Sequence, residues 1–269
     1  MNEQVRNIPI AQLHPFRHHP FQVKDDEAMA ALCDSIQEYG ILSPLLVRPT
    51  GEGYEVVSGH RRRLAAMKLG LRELPVLVRE MSDDEAVILM VDSNIQRENL
   101  LPSEKAFAYK MKLEAMKHQG KAAFRQVVGK LESADHISKL ESGRTVQRYI
   151  RLTYLVKPIL DLVDQGRIAF SPGVDLSFLT RTEQAELWDI IQAEDCTPSL
   201  SQAVRLKKLS QKGELTPERI YEIMSEEKAN QKERVRFEVS QLRNYFPKGY
   251  TARQMEQAIL QLLEANYKK

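Results

Sequence analysis

The sequence predicts an α+β chain: a small mixed α/β domain over residues 1–100, a mostly helical domain over 101–209 and a helical C-terminal region over 210–269. Three observations carry that reading. Up to residue 80, short apolar runs bounded by Gly and Pro alternate with stretches of helical spacing. From Ser82-Asp83-Asp84-Glu85, a capping box, the periodicity turns helical and stays so. After about Leu209 the composition becomes charged and polar.

The elements follow in order. Asn7-Ile8-Pro9-Ile10 reads as an edge strand. Asp26 to Tyr39 is a helix with Met29, Leu32 and Ile36 on one face and Gly40 as its stop. Pro44 to Arg48 is a strand, Pro49-Thr50-Gly51-Glu52-Gly53 a turn, and Tyr54 to Val57 the returning strand. Arg61 to Lys68 is a short helix ended by Gly70, and Leu74 to Val78 is another strand. The capping box opens a helix through about Asn94. Pro102-Ser103-Glu104 starts the next, to about Gln119, with Ala106, Tyr109, Leu113 and Met116 on one stripe. Residues 123–210 continue in helical periodicity, interrupted at Gly129, Gly143, Pro158, Pro172 and Pro198. Thr216-Pro217-Glu218 restarts a helix expected to be long and partly exposed. Thr251 to Tyr267 is a last amphipathic helix, with Met255, Ile259, Leu262 and Leu263 apolar.

With 269 residues there is room for two or three domains, and 42% hydrophobic with 28% charged residues fits a soluble globular chain. No apolar run is long enough to span a bilayer, and MNEQVRNIPI has no signal-peptide core. Cys33 and Cys196 lack zinc-ligand spacing and read as ordinary thiols of a reducing cytoplasm. The net charge of +2 hides an asymmetry. Residues 104–157 hold 12 Lys/Arg against 5 Asp/Glu, a net of +7, which leaves the remainder at −5. A basic middle is the footprint of a nucleic-acid-binding segment; a solvated Lys-rich helical surface is the competing reading.

Two motifs carry chemistry. In Ser58-Gly59-His60-Arg61-Arg62-Arg63-Leu64 a glycine ends a strand and three arginines follow on the first turn of a helix. Free N–H groups and the helix dipole make such a turn an anion site, and the guanidinium fork matches phosphate oxygens. The second motif is Ala134 to Leu152, a helix, a tight turn with Gly143, and a second helix. Ala134, Ile137 and Leu140 would pack against Val146, Tyr149 and Ile150. That leaves Arg144, Thr145, Gln147, Arg148 and Arg151 outward, with Lys139 on the first helix as a further candidate DNA contact. A helix-turn-helix presents that face to the DNA major groove. A plain helical hairpin with a basic rim is the alternative.

Taken together the motifs resemble the ParB family of plasmid and chromosome partition proteins over about residues 5–180. The family's Gly-x-Arg-Arg box stands here as Gly59-His60-Arg61-Arg62, and its Glu-Asn-x-Gln-Arg box as Ser93-Asn94-Ile95-Gln96-Arg97. Asn99 to Ala106 is similar to the family segment that follows. The resemblance implies a ParB/sulfiredoxin-like N-terminal domain that binds CTP and Mg²⁺. It implies a homodimeric clamp that loads at a palindromic, centromere-like site on double-stranded DNA, and a ParA-type ATPase partner. It places the protein in the cytoplasm on nucleoid or plasmid, with no membrane partner. Carried over by position, Gly59, His60, Arg61 and Arg62 would hold the triphosphate, Asn94 would position Mg²⁺, and Gln96 and Arg97 would complete the pocket. The C-terminal region is a candidate for dimerisation.

The chain also departs from the pattern. Ser93 replaces the glutamate associated with hydrolysis, so any CTPase activity is expected to be weak. Leu64 stands where a further arginine is frequent, and the first family box is rich in histidine at His14, His18 and His19. These histidines read as loop or phosphate-proximal residues rather than metal ligands. Two other functions use the same parts: a transcriptional regulator without spreading or a motor partner, and a sulfiredoxin-like nucleotide-dependent enzyme. The enzyme would need a reactive cysteine beside the arginine turn, whereas Cys33 sits mid-helix.

Overall fold

The computed structural model describes residues 4–97, 99–118, 142–226, 245–247 and 249–267. The chain divides into two compact units, Met1–Ser225 and Glu226–Lys269.

In the first unit, β1 (Val5–Pro9), β2 (Leu13–Pro15), β3 (Leu45–Thr50), β4 (Gly53–Ser58) and β5 (Glu73–Val78) form one sheet in the order β1-β5-β3-β4-β2. β1 lies on the edge, as its Asn-x-Pro sequence suggested, antiparallel to β5 with Ile8 opposite Leu74. β3 and β4 are the antiparallel hairpin closed at Thr50 and Gly53, with a bulge between Leu46 and Val47. β3 runs parallel to β5, and β2 parallel to β4.

Side-chain alternation along the strands sorts the helices onto two faces. Leu45, Val47 and Val56 join Ile8, Leu13, Leu74 and Val76 on one face, against Ala66 of α2 (His60–Lys68). α1 (Glu27–Tyr39) packs behind α2 through Met29, Ile36 and Ala65. Val57 points the other way, into a core with Phe16, Phe21 and Ala86, Met90 and Val91 of α3 (Asp83–Asn94). α4 (Pro102–His118) closes that face with Ala108. The expected capping box is formed: Ser82 caps α3 and Glu85 returns to the Ser82 N–H at 2.9 Å.

The helical part follows α4: α5 (Gly143–Leu152), α6 (Lys157–Asp164), α7 (Phe170–Leu176), α8 (Arg181–Glu194), α9 (Leu200–Lys212) and α10 (Pro217–Ser225). Capping boxes at Thr180/Glu183 and Ser199/Gln202 start α8 and α9. Leu152, Ile159, Leu176, Leu187, Leu206 and Ile220 are fully buried in one core. Two boundaries differ from expectation. α10 places Ile220, Ile223 and Met224 in that core, so the helical core extends past residue 209. Burying an aliphatic side chain is worth about 1.5–3 kcal/mol, and the polar composition after Leu209 hid these three. Gly143 begins α5 instead of sitting in a turn, because Ser142 caps the helix by accepting from the Thr145 N–H. The first helix of the expected helix-turn-helix, with Lys139, lies outside the described residues.

In the second unit α11 (Ala252–Tyr267) matches the predicted last helix, with Met255 buried and Leu260 and Leu262 exposed. Among the described residues no helix is long and apolar enough to cross a membrane.

Candidate functional site

The arginine turn is built by Gly59. β4 ends at Ser58, and Gly59 takes φ 108°, ψ 21°, a left-handed conformation that turns the chain directly into α2. A Cβ there would stand 2.8 Å from Leu45 Cγ and 3.2 Å from Arg62 Nη2. No side chain caps α2, so its first N–H groups keep their anion-attracting character and the dipole is not answered by an acid.

The three guanidiniums have different partners. Arg61 Nη2 lies 3.2 Å from Asp26 Oδ1, the residue that caps α1. Arg62 donates to the carbonyls of Ser43 and, at 3.1 Å, Pro44, bracing the loop before β3. Arg63 Nε donates to the Leu13 carbonyl at 2.8 Å. Burial pulls the Arg62 and Arg63 guanidiniums below the usual arginine value. Their carbonyl partners are neutral, so the turn keeps its positive charge.

His60 is buried, and its Nε2 accepts the Phe16 N–H at 3.2 Å, which puts its own proton on Nδ1. Its pKa is pushed down to about 3, first by burial and then by His19, Arg63 and Arg97. The His19 ring lies 3.9 Å from the His60 ring, centroid to centroid. His19 Nδ1 bonds the Phe21 carbonyl at 2.7 Å, so it carries the hydrogen, and the buried Nε2 has no partner among the described residues. Desolvation also lowers the His19 pKa.

Asn94, at the end of α3, is buried and donates its amide to the Met90 carbonyl at 2.7 Å and to Ser93 Oγ at 3.2 Å. Only its Oδ1 is left as a metal-capable atom. Ser93 turns its hydroxyl back onto the Met90 carbonyl at 2.9 Å. Gln96 and Arg97 are exposed on the turn after α3. Partial desolvation, and then the like charge of Arg61, hold the Arg97 guanidinium below its ordinary value.

The structure thus stacks His60 on His19 and brings the Arg97 charge to bear on both rings and the Arg61 charge on Arg97, while Gly59 and Arg62 lie on the turn itself and Asn94 ends the helix before Arg97. Sequence reasoning missed one pairing and one further residue. The pairing of His19 with His60 spans 41 positions, and Glu104 of α4 bonds the Gln22 N–H of the loop that carries His19. The histidine-rich stretch was the available signal for the first. No local spacing pointed to Glu104.

Helix α5 carries the second set. Val146 and Ile150 pack on Tyr109 of α4, and Tyr149 packs on Tyr109 and Phe170. Arg144 and Gln147 are exposed, while Thr145 bonds Ser142 Oγ through its hydroxyl at 2.9 Å. Arg148 is drawn partly inward: Nη2 donates to Ser171 Oγ at 2.7 Å and the guanidinium lies over Phe170. The expectation that Arg151 faces outward is corrected. It donates to Ser177 Oγ and the Ser177 carbonyl at 3.1 and 2.6 Å and stacks on Phe178 and Tyr154. At the C-terminal turn of α5, Arg151 lies where these inward partners compete with solvent.

Residues 1–95 match the ParB N-terminal domain family. The probable chromosome 1-partitioning protein ParB of Deinococcus radiodurans is 37% identical over 205 residues, covering 76% of this chain and 66% of that one. The chromosome-partitioning protein Spo0J of Thermus thermophilus is 35% identical over 204 residues, covering 76% of this chain and 70% of that one. The chain belongs to the ParB family. It spans about two thirds of the length of these two ParB relatives. Two crystal structures of the C-terminally truncated Caulobacter crescentus ParB are also similar. The complex with the centromeric parS site is 24% identical, covers 77% of this chain and 99% of that one, and has a TM-score of 0.44. The complex with CTP-gamma-S is 26% identical, covers 70% and 99%, and has a TM-score of 0.33.

Proposed function

We propose that this ParB-family chain is a DNA-binding partition protein that binds CTP at the α2 turn and reads double-stranded DNA with α5. The observation that carries the reading is the α2 N-terminus: uncapped, opened by a left-handed glycine and ringed by guanidiniums whose partners are mostly neutral. Such a cluster is stabilised by a polyanion. A nucleoside triphosphate supplies charge at that density, and CTP is the nucleotide that the two ParB boxes imply.

In this reading the backbone at Gly59 and the Arg61 and Arg97 guanidiniums bind phosphate oxygens. Arg62 holds the Ser43–Pro44 loop against the turn, and His60 stays neutral and fixes the Phe16 loop. Mg²⁺ favours carboxylates and substrate phosphates. The chain offers it Asn94 Oδ1, so phosphate oxygens and water would supply the remaining ligands, and the ion would offset phosphate charge. Arg144, Thr145 and Gln147 are the base-reading candidates, and Arg148 and Lys139 belong to the same proposed interface. A palindromic site, a homodimeric clamp and a ParA-type ATPase complete the proposal by family resemblance. Ser93, bonded to its own helix, offers no carboxylate to activate water, which favours binding with little turnover.

The test is equilibrium binding of CTP with Mg²⁺ to the full chain and to Arg61→Ala. The variant is expected to lose about ten-fold or more in CTP affinity, the scale of one charge-assisted contact, while DNA binding without nucleotide stays near wild type. Unchanged CTP binding in Arg61→Ala would overturn the site assignment.

A further inference from the structure

The first turn of α4 holds two consecutive residues that reach in opposite directions. Glu104 is only 6% exposed, and both of its oxygens are engaged by main chain. Oε1 accepts the Gln22 N–H at 2.7 Å and Oε2 accepts the Leu101 N–H at 2.9 Å. Gln22 lies in the loop between β2 and α1 that begins at Phe16 and carries His19, so this carboxylate fastens that loop to the start of α4. Its neighbour Ser103 turns to the helical part. There Asp164, the last residue of α6, accepts the Ser103 N–H at 2.9 Å and its hydroxyl at 2.5 Å, capping α4 from another helix. A buried carboxylate is costly unless it is bonded, and these two backbone bonds explain how Glu104 is tolerated. They do not explain why a charge is there. The charge also acts on the arginine site, raising the His19 and Arg97 pKa values against the desolvation that lowers both.

We propose that Glu104 is a positioning residue of the anion site. It pins the loop that carries His19 so that His19 seats against His60, and its charge offsets part of the desolvation of Arg97. Asp164 has a different task, holding the same turn of α4 to the helical part without touching the site. This inference rests on the proposed CTP reading and adds to it a residue that neither ParB box contains.

The experiment compares Glu104→Gln and Asp164→Asn in the full chain, measuring CTP affinity, melting temperature and the His19 imidazole titration by NMR. Gln keeps one acceptor and removes the charge, and Asp164→Asn disturbs the other side of the same turn. Glu104→Gln is expected to weaken CTP binding about ten-fold, the effect of losing a charge-assisted bond, and to lower the His19 pKa, since the Glu104 charge raises it. Asp164→Asn is expected to lower the melting temperature while leaving CTP affinity and the His19 titration as in wild type. If CTP affinity falls in both variants in step with melting temperature, Glu104 is structural only and the proposal fails. Wild-type CTP affinity in Glu104→Gln also overturns it. A wild-type chain that binds no CTP would remove the nucleotide reading itself, and this inference with it.

Discussion

Replacing Gly59 by alanine tests the arginine turn at its most constrained atom. The residue sits at φ 108°, where an L side chain is strained, and the new Cβ would lie 2.8 Å from Leu45 Cγ. Leu45 is fully buried in the sheet core and cannot swing into solvent. Left-handed backbone costs a non-glycine residue about 1–2 kcal/mol, and forcing a carbon into a packed core costs about 1–3 kcal/mol. Together they predict a loss of roughly 2–5 kcal/mol. For a unit of this size that lowers the melting temperature by roughly 5–15 °C. The same Cβ would press on Arg62 Nη2 at 3.2 Å, so the Ser43–Pro44 brace loosens and CTP affinity falls as well. Thermal melting followed by circular dichroism, with CTP titration well below the transition, reads both effects. A variant that melts and binds as wild type would refute the argument that the left-handed turn and the Leu45 contact shape this site.

Other outcomes follow from the same geometry. Arg151→Ala is expected to destabilise the chain by about 1–2 kcal/mol, through lost bonds to Ser177 and lost stacking, with the preferred DNA sequence retained; a changed sequence preference would return Arg151 to base reading. Arg144→Ala and Gln147→Ala are expected to leave stability within about 0.5 kcal/mol but to cost about 1–3 kcal/mol of specific DNA binding for each base contact removed. Selection from a random DNA pool with no change of preferred sequence would argue against both. His60 has its folded pKa depressed to about 3 from 6.5. Its contribution is therefore fully present above pH 6.5 and is lost as pH falls from there toward 3, because the unfolded imidazole takes up a proton that the folded one refuses. His60→Gln, whose amide oxygen can still accept the Phe16 N–H, is expected to flatten this acid slope. Urea midpoints that fall equally in the variant and the wild type would remove His60 as its source.

Much of the fold was legible because its signals are local. Ser82 and Glu85 form their capping box from four adjacent residues, Gly40 and Gly70 stop helices by positive φ, and Val56 and Val57 sort to opposite faces by strand alternation alone. The site was legible in part. Gly59 opens the turn that the glycine-arginine motif implied, and the Arg61 charge reaches Arg97 of the second motif. Arg62 and Arg63 could not be told apart from Arg61 by sequence, since all three occupy one helical turn and differ only in which carbonyl or carboxylate lies opposite. Arg151 was misjudged for the same reason. Its face of α5 looked free until α7 brought Ser177 beneath it.

The sequence by itself determined most of the helices and strands, though not β2 or the start of α5, and that a glycine followed by arginines opens one of them, because caps, breakers and periodicity act within a few residues. Only the tertiary structure decided which guanidiniums remain available to an anion, that His19 lies on His60, and that Glu104 and Asp164 share one turn of α4. Those facts depend on groups 18 to 82 positions apart meeting at hydrogen-bond or stacking distance, and no local pattern encodes such a meeting.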